Sequence, residues 1–190
     1  MNIRIKRAMV AAGVTTLMAL PMSTLASDGT ITFTGAVTAS TCTVSVNGSG
    51  ASATVTLPTV SAAALAGGAG QTTAAGTFFN VALSGCTAGP PNNVGIYFEA
   101  GPNVDATTYG LINTAVGSNV EVNLYLASGA TVVGTQITPG SATTQPTPVL
   151  ISGLPTGGTQ SFYAGYSTAA HGAATAGAVS TSVTYSLVYN

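Results

Sequence analysis

The chain is 190 residues long and almost uncharged, with three Lys or Arg, four Asp or Glu and one His against 46% hydrophobic residues. Its cations, Arg4, Lys6 and Arg7, all lie at the extreme N-terminus. The rest therefore lacks the phosphate-neutralising side chains of nucleic-acid binders and the polybasic patch of a protein that docks on anionic membranes. Disorder is excluded as well, because disordered chains pair low hydrophobicity with high net charge.

Residues 1–26 are predicted to be a secretory signal peptide. The cations precede an apolar run from Ala8 to Leu20, Pro21 breaks it, and Thr24 and Ala26 supply the small residues before a cleavage after Ala26. The run is shorter than the roughly 20 residues of a membrane span. No later stretch is long and apolar enough to cross a bilayer, so no stable membrane insertion is expected after cleavage. Roughly 160 residues remain, enough for one domain with its own core.

Residues 28–41 read DGTITFTGAVTAST. Ile31, Phe33, Gly35, Val37 and Ala39 fall on one side of a period-two alternation, and Thr30, Thr32, Thr34, Ala36 and Thr38 on the other. This is a strand whose apolar row carries a glycine at its centre. Beyond Cys42 the apolar phase moves to the even positions Val44 and Val46. A strand cannot change its buried face without a bulge or break, so the N-terminal strand is separable from the domain behind it. The expected organisation is a signal peptide over 1–26, an N-terminal extension over 27–41 and a domain over 42–190.

Within that domain Asn47-Gly48-Ser49-Gly50 is a turn, and residues 53–57 are expected to be a short strand stopped by Pro58. A helical turn is expected at 62–66. Strands are predicted at 77–86, with Phe79, Val81 and Leu83 as the core face, and around Val94, Ile96 and Phe98. Glu99 and Asp105 flank a Gly-Pro turn. Val120, Val122, Leu124 and Leu126 alternate with Glu121, Asn123 and Tyr125, which take the outward phase. Short strands are expected at 132–137 and 149–154, then one through Phe162, Ala164 and Tyr166, and a last one at 180–190 with Val183, Tyr185, Leu187 and Tyr189 on one face. Many short strands with almost no helical periodicity indicate an all-β antiparallel sandwich of immunoglobulin type. The sequence ends inside a strand, which predicts an unpaired edge and an open hydrophobic groove beside it. A spare N-terminal strand and a missing C-terminal one are complementary.

Cys42 and Cys86 are expected to pair in an oxidising compartment, stabilising the fold by roughly 4 kcal/mol in the chain-entropy picture. Two cysteines this far apart with one histidine do not make a zinc site, and no CxxC serves redox work. Neither a metal nor a cofactor is expected. Enzyme function is not expected either: the only histidine, His171, lies in a Gly/Ala loop, no GxSxG elbow occurs, and no two carboxylates are paired for glycoside hydrolysis.

With these features the sequence resembles the major structural subunits of chaperone–usher fimbriae, the type 1-like pilins of Gram-negative surfaces. The resemblance is carried by the signal peptide, the strand with Phe33-x-Gly35-x-Val37, the placement of Cys42 and Cys86, Gly177 at the fourteenth position from the end and the penultimate Tyr189. It implies an incomplete immunoglobulin-like domain lacking its seventh strand, exported to the periplasm and then built into a fimbrium on the cell surface. The implied partners are a periplasmic chaperone, an outer-membrane usher and identical or homologous subunits. Strand addition of this kind gains affinity from backbone hydrogen bonds and specificity from alternate side chains, and pilin assembly is among its standard instances. The implied donor residues are Ile31, Phe33, Gly35, Val37 and Ala39, and the implied acceptor edge and chaperone contact is Gly177, Val183, Tyr185, Leu187 and Tyr189. A minor or adaptor pilin and a secreted carbohydrate-binding sandwich are the rival readings.

Overall fold

The computed structural model describes residues 31, 32, 34, 42–65, 72–86, 94–141, 145, 157–168 and 172–189. The signal peptide, Phe33, Gly35, Val37, Ala39, the strand expected at 149–154 and His171 lie outside the described residues. The chain divides into two units, Met1–Val37 and Thr38–Asn190. In the first, Ile31 is 81% exposed, and Thr32 and Thr34 are exposed too.

The second unit contains β1 (Thr43–Val46), a 3-10 turn (Ala62–Leu65), β2 (Thr72–Ser84), β3 (Val94–Phe98), β4 (Glu121–Ser128), β5 (Val132–Gln136), β6 (Gly158–Ser167) and β7 (Tyr185–Tyr189). A five-stranded sheet runs in the order β1-β2-β6-β4-β5, and a two-stranded sheet pairs β3 with β7. All the ladders are antiparallel. An immunoglobulin constant-type sandwich places strands A, B, E and D in one sheet and C, F and G in the other. Here β1, β2, β6 and β4 take the first four places, β5 extends that sheet, and β3 and β7 take C and F. Among the described residues nothing occupies the place of G.

The alternation predicted for β2, β3, β4 and β6 puts their apolar rows into one core. Phe79 and Phe162 are register partners on β2 and β6, with ring centroids 5.4 Å apart. Phe98 of the smaller sheet meets Phe162 edge-on at 5.2 Å, so the fully buried Phe162 joins the two sheets across the interior. Cys42 and Cys86 form the expected disulfide, which fastens the start of β1 to the chain just past β2. At the other end of β1, Asn47 and Gly48 both take positive φ, 49° and 80°, and the Ser49 N–H donates to the Val46 carbonyl. Those are the features of a type I′ turn, for which Asn-Gly is the favoured pair.

Three expectations are corrected. Residues 53–57 belong to no ladder: their alternation is real, with Val55 and Leu57 packed on the core, but an apolar row reports burial and not pairing. The last strand is shorter than predicted, because only Tyr185–Tyr189 forms the ladder with β3 and residues 180–184 are extended ahead of it. The outward phase of β4 is buried. Glu121, Asn123 and Tyr125 retain only 1%, 4% and 8% exposure; the 105–110 loop folds over the first two. Thr108 Oγ1 donates to Glu121 Oε2 at 2.7 Å, and Gln136 Nε2 to the Thr108 carbonyl at 3.1 Å. Asp105 shapes the loop by accepting from the N–H groups of Thr107 and Thr108. On the same sheet Tyr125, Ala127 and Tyr163 form a separate buried cluster with Phe78 against it.

Candidate functional site

The site is built from the edge of the smaller sheet. In its ladder Phe98 faces Tyr185 and Ile96 faces Leu187. The Phe98 N–H donates to Gln145 Oε1 at 3.0 Å and the Phe98 carbonyl accepts from Gln145 Nε2 at 2.7 Å, so Phe98 spends its backbone groups away from β7. The 98/185 pair is therefore a non-hydrogen-bonded one. The alternation of antiparallel ladders then points the N–H and C=O groups of Tyr185, Leu187 and Tyr189 away from β3. Among the described residues no strand receives them.

Beside this edge lies a groove of about 800 Å³. One bank is the unpaired stretch 51–55 with Leu57, and the other is 180–185 with Leu187. Core side chains form the floor, among them Phe79, Val81, Phe98, Leu111, Val122 and Leu124. The groove is thus a slot opening directly into the hydrophobic core. Inward residues on the second bank alternate: Thr181, Val183, Tyr185 and Leu187 are half-buried, whereas Ser180, Ser182, Thr184 and Ser186 are exposed. Side-chain hydrogen bonds hold the first bank where a ladder does not. Thr77 Oγ1 donates to the Thr56 carbonyl at 2.8 Å, the Tyr166 hydroxyl to that of Pro58 at 3.0 Å and the Tyr185 hydroxyl to that of Ala51 at 2.6 Å. Burial pushes the Tyr185 hydroxyl above its ordinary pKa of 10.0, so at neutral pH it remains a donor.

Of the acceptor residues named from the sequence, Val183, Tyr185 and Leu187 line the groove. Tyr189 does not line it; it pairs with Val94 at the far end of the ladder and packs against the core. Gly177 also lies off the groove, and its role is a close approach. A Cβ there would come within 2.5 Å of the Gly117 carbonyl carbon and the Ser118 nitrogen, beside the parallel bridge between Gly117 and Ala178. Sequence reasoning missed the clip around that contact. Asn113 Nδ2 donates to the Ala178 carbonyl at 2.9 Å, Asn113 Oδ1 accepts from the Ser180 N–H at 2.8 Å, and the Thr114 N–H donates to the Ser180 carbonyl at 2.8 Å. These bonds fix where the second bank begins. Their partners lie more than sixty residues apart in sequence, so no local pattern announces them.

An antiparallel sandwich in which, among the described residues, the last strand place is not filled and a slot into the core lies at that place is an immunoglobulin-like domain without its seventh strand. Comparison with known proteins agrees. The fimbrial protein family profile matches residues 31–190. The chain is 38% identical over 177 residues to the major fimbrial subunit SMF-1 of Stenotrophomonas maltophilia, covering 92% of this chain and 99% of that protein. To the F17 fimbrial protein of Escherichia coli it is 37% identical over 172 residues, covering 88% and 90%. Among solved structures, a subunit of a chaperone–usher pilus superposes with a TM-score of 0.56 at 19% identity, covering 90% of this chain and all of that one. The P pilus rod subunit PapA gives 0.53 at 18% identity, covering 78% and 99%.

The chain belongs to the fimbrial protein family and is a structural subunit of a pilus. Members of this class polymerise with one another into fimbriae on the cell surface, and the family is not one of enzymes. Among the described residues no helix is long and apolar enough to cross a membrane.

Proposed function

We propose that this subunit polymerises by donor-strand exchange, with residues 28–41 of one copy filling the groove of the next and the finished fibre serving surface adhesion. The observation that carries the reading is the core-deep groove beside the edge of β7 that no strand pairs with among the described residues. Backbone groups of Tyr185, Leu187 and Tyr189 offer a ladder to any strand. Pockets for alternate side chains select one whose inward row is Ile31, Phe33, Gly35, Val37 and Ala39. Complete burial of Ile31, Phe33 and Val37 would contribute roughly 1.5–3 kcal/mol each.

In this reading residues 1–26 direct export and are removed, residues 27–41 are the donor extension and residues 42–190 the accepting domain. Until the next subunit arrives, a periplasmic chaperone covers the groove and an outer-membrane usher organises the exchange. Gly177 acts at a distance, by letting the 173–180 segment pack closely enough to hold the bank at Ser180. The test is assembly of Phe33→Asp and Gly35→Val subunits. Export and the Cys42–Cys86 bond should persist while the heat-sensitive ladder of multimers on unboiled gels disappears; normal fibres from both variants would sink the proposal.

A further inference from the structure

We propose that the cap formed by residues 112–119 and 173–180 is a second contact between successive subunits, on which the disulfide-bonded end of the strand-donating copy rests, with Val116 as the apolar knob. The inference rests on the strand-uptake reading and adds a contact that the strand itself does not make. A strand completing the small sheet in the G place runs antiparallel to β7, so its C-terminal end leaves the groove beside Ser180. The last inward residue of the donor row is Ala39, and Cys42 follows three residues later, a reach of about 10 Å even when fully extended. Cys42 is bonded to Cys86, so the donor's folded domain begins there without a linker. That domain has to sit against whatever surrounds Ser180 on the acceptor.

The surface around Ser180 is suited to being covered. Residues 112–119 and 172–180 carry no charged side chain, and their amides and hydroxyls are already engaged with one another. Asn119 Nδ2 donates to the Ala173 carbonyl at 3.0 Å, its Oδ1 accepts from the Thr175 N–H at 2.8 Å, and Thr175 Oγ1 donates to the Gly117 carbonyl at 2.8 Å. Asn113 ties the same loop to Ala178 and Ser180. Polar groups that keep their hydrogen bonds are cheap to bury, and a loop held this way is ordered before a partner arrives. What it presents outward is small or apolar: Ala173, Ala176, Gly177 and Ala178 are exposed, and Val116, at 94%, is the most exposed large apolar side chain among the described residues. A single exposed valine is ordinary; one standing on a rigid, uncharged cap at the exit of the groove is placed for the copy whose strand leaves there. On that copy the exposed residues nearest the disulfide are Thr43, Ser84 and Gly85, with Thr43 and Ser84 as register partners, and they too are uncharged.

The test separates the strand from the body that follows it. A labelled synthetic peptide of residues 28–41 has no domain to rest on the cap, so the full exported chain carrying Val116→Asp should bind it within about a factor of two of the unaltered chain, well inside one decade of affinity. Fibres of the same variant bury the new charge at every junction, and the half-life of their multimer ladder at a fixed raised temperature should fall on the order of tenfold. Ala176→Asp, on the other limb of the cap, carries the same two expectations. Adding Thr43→Lys to the Val116→Asp chain sets opposite charges across each junction and should restore most of the lost half-life. Unchanged half-lives for both aspartate variants would overturn the contact. So would peptide binding weakened as much as the fibres, because the effect would then lie in the groove. No rescue by Thr43→Lys would overturn the face assigned to the donor. Failure of the peptide to bind the unaltered chain would instead overturn strand uptake itself.

Discussion

Strands β3 and β7 share a single ladder, yet their outer edges meet different surroundings. On β3 the backbone of Phe98 is closed off by the carboxamide of Gln145, which bonds its N–H and C=O together, and the Gly140 N–H adds a second donor to the same carbonyl at 2.9 Å. Gln145 is itself only 8% exposed, so at Phe98 this edge is closed by the chain's own residues. On β7 the equivalent groups face the groove, and the apolar floor continues beneath them. Sheet edges are normally blunted by charge, proline, bulges or a cover. At Phe98 the domain covers one edge of its small sheet, whereas among the described residues no strand pairs with the other, and the proposed polymerisation through β7 rests on that asymmetry.

The largest effect is expected from filling the vacancy. Joining a second copy of residues 28–41 to the C-terminal end through a short flexible linker offers the β7 edge its strand within one chain. Burial of Ile31, Phe33 and Val37 at roughly 1.5–3 kcal/mol each adds to the backbone hydrogen bonds along the β7 edge, and tethering removes the cost of bringing two molecules together, so the urea midpoint should rise. The same protein should run as one band on unboiled gels. A fusion that still forms ladders, or gains no stability, would mean that the groove is not where the strand goes.

A smaller effect is expected at the closed edge. Gln145→Leu leaves the buried Phe98 N–H without its partner while Gly140 still serves the carbonyl, and an orphaned buried donor costs about 1–3 kcal/mol. Denaturant unfolding should show that loss, and peptide uptake at β7 should be unaltered. Equal weakening of uptake would show that the two edges are coupled rather than independently finished.

How much of this was legible in the sequence varied with the range of the interaction. The rows Phe79-Val81-Leu83, Val94-Ile96-Phe98 and Phe162-Ala164-Tyr166 declare themselves by period two, because each residue's burial depends on its own strand's face. The same rule overreached at residues 53–57, where Val55 and Leu57 alternate toward the core although no neighbour completes a ladder. Burial of Glu121 and Asn123 had no local signal: the cover comes from Thr108 and Gly110, on a loop more than ten residues earlier. Gly177 stood out by resemblance alone, and its reason, the backbone of Gly117 and Ser118 at 2.5 Å from a Cβ, exists only in three dimensions. The edge of β7 was legible because an apolar row alternates as far as Tyr189, and among the described residues only β3 pairs with it.

The smallest effect concerns alkaline pH and narrows the contrast between the edges to a single side chain. Burial raises the hydroxyls of Tyr163, Tyr166 and Tyr185 above the ordinary 10.0, with nearby Tyr125 adding to the shift at Tyr163. A group whose folded pKa is raised contributes stability that is fully present below its unfolded value and is lost as pH rises through the folded one, because the unfolded chain then binds fewer protons. All lysines and arginines precede residue 8, so past that point the tyrosines are the groups left to titrate near pH 10. Stability should be level through neutral pH and decline above about pH 10. A strand filling the groove that Tyr185 lines would remove more water from its hydroxyl and raise its folded pKa further. The strand-filled subunit should therefore lose more stability than the empty one as pH rises above about 10, and Tyr185→Phe should narrow that difference in loss. If the two forms decline together, Tyr185 is no wetter in the empty groove than in the filled one, and its hydroxyl does not stand in the path of the incoming strand.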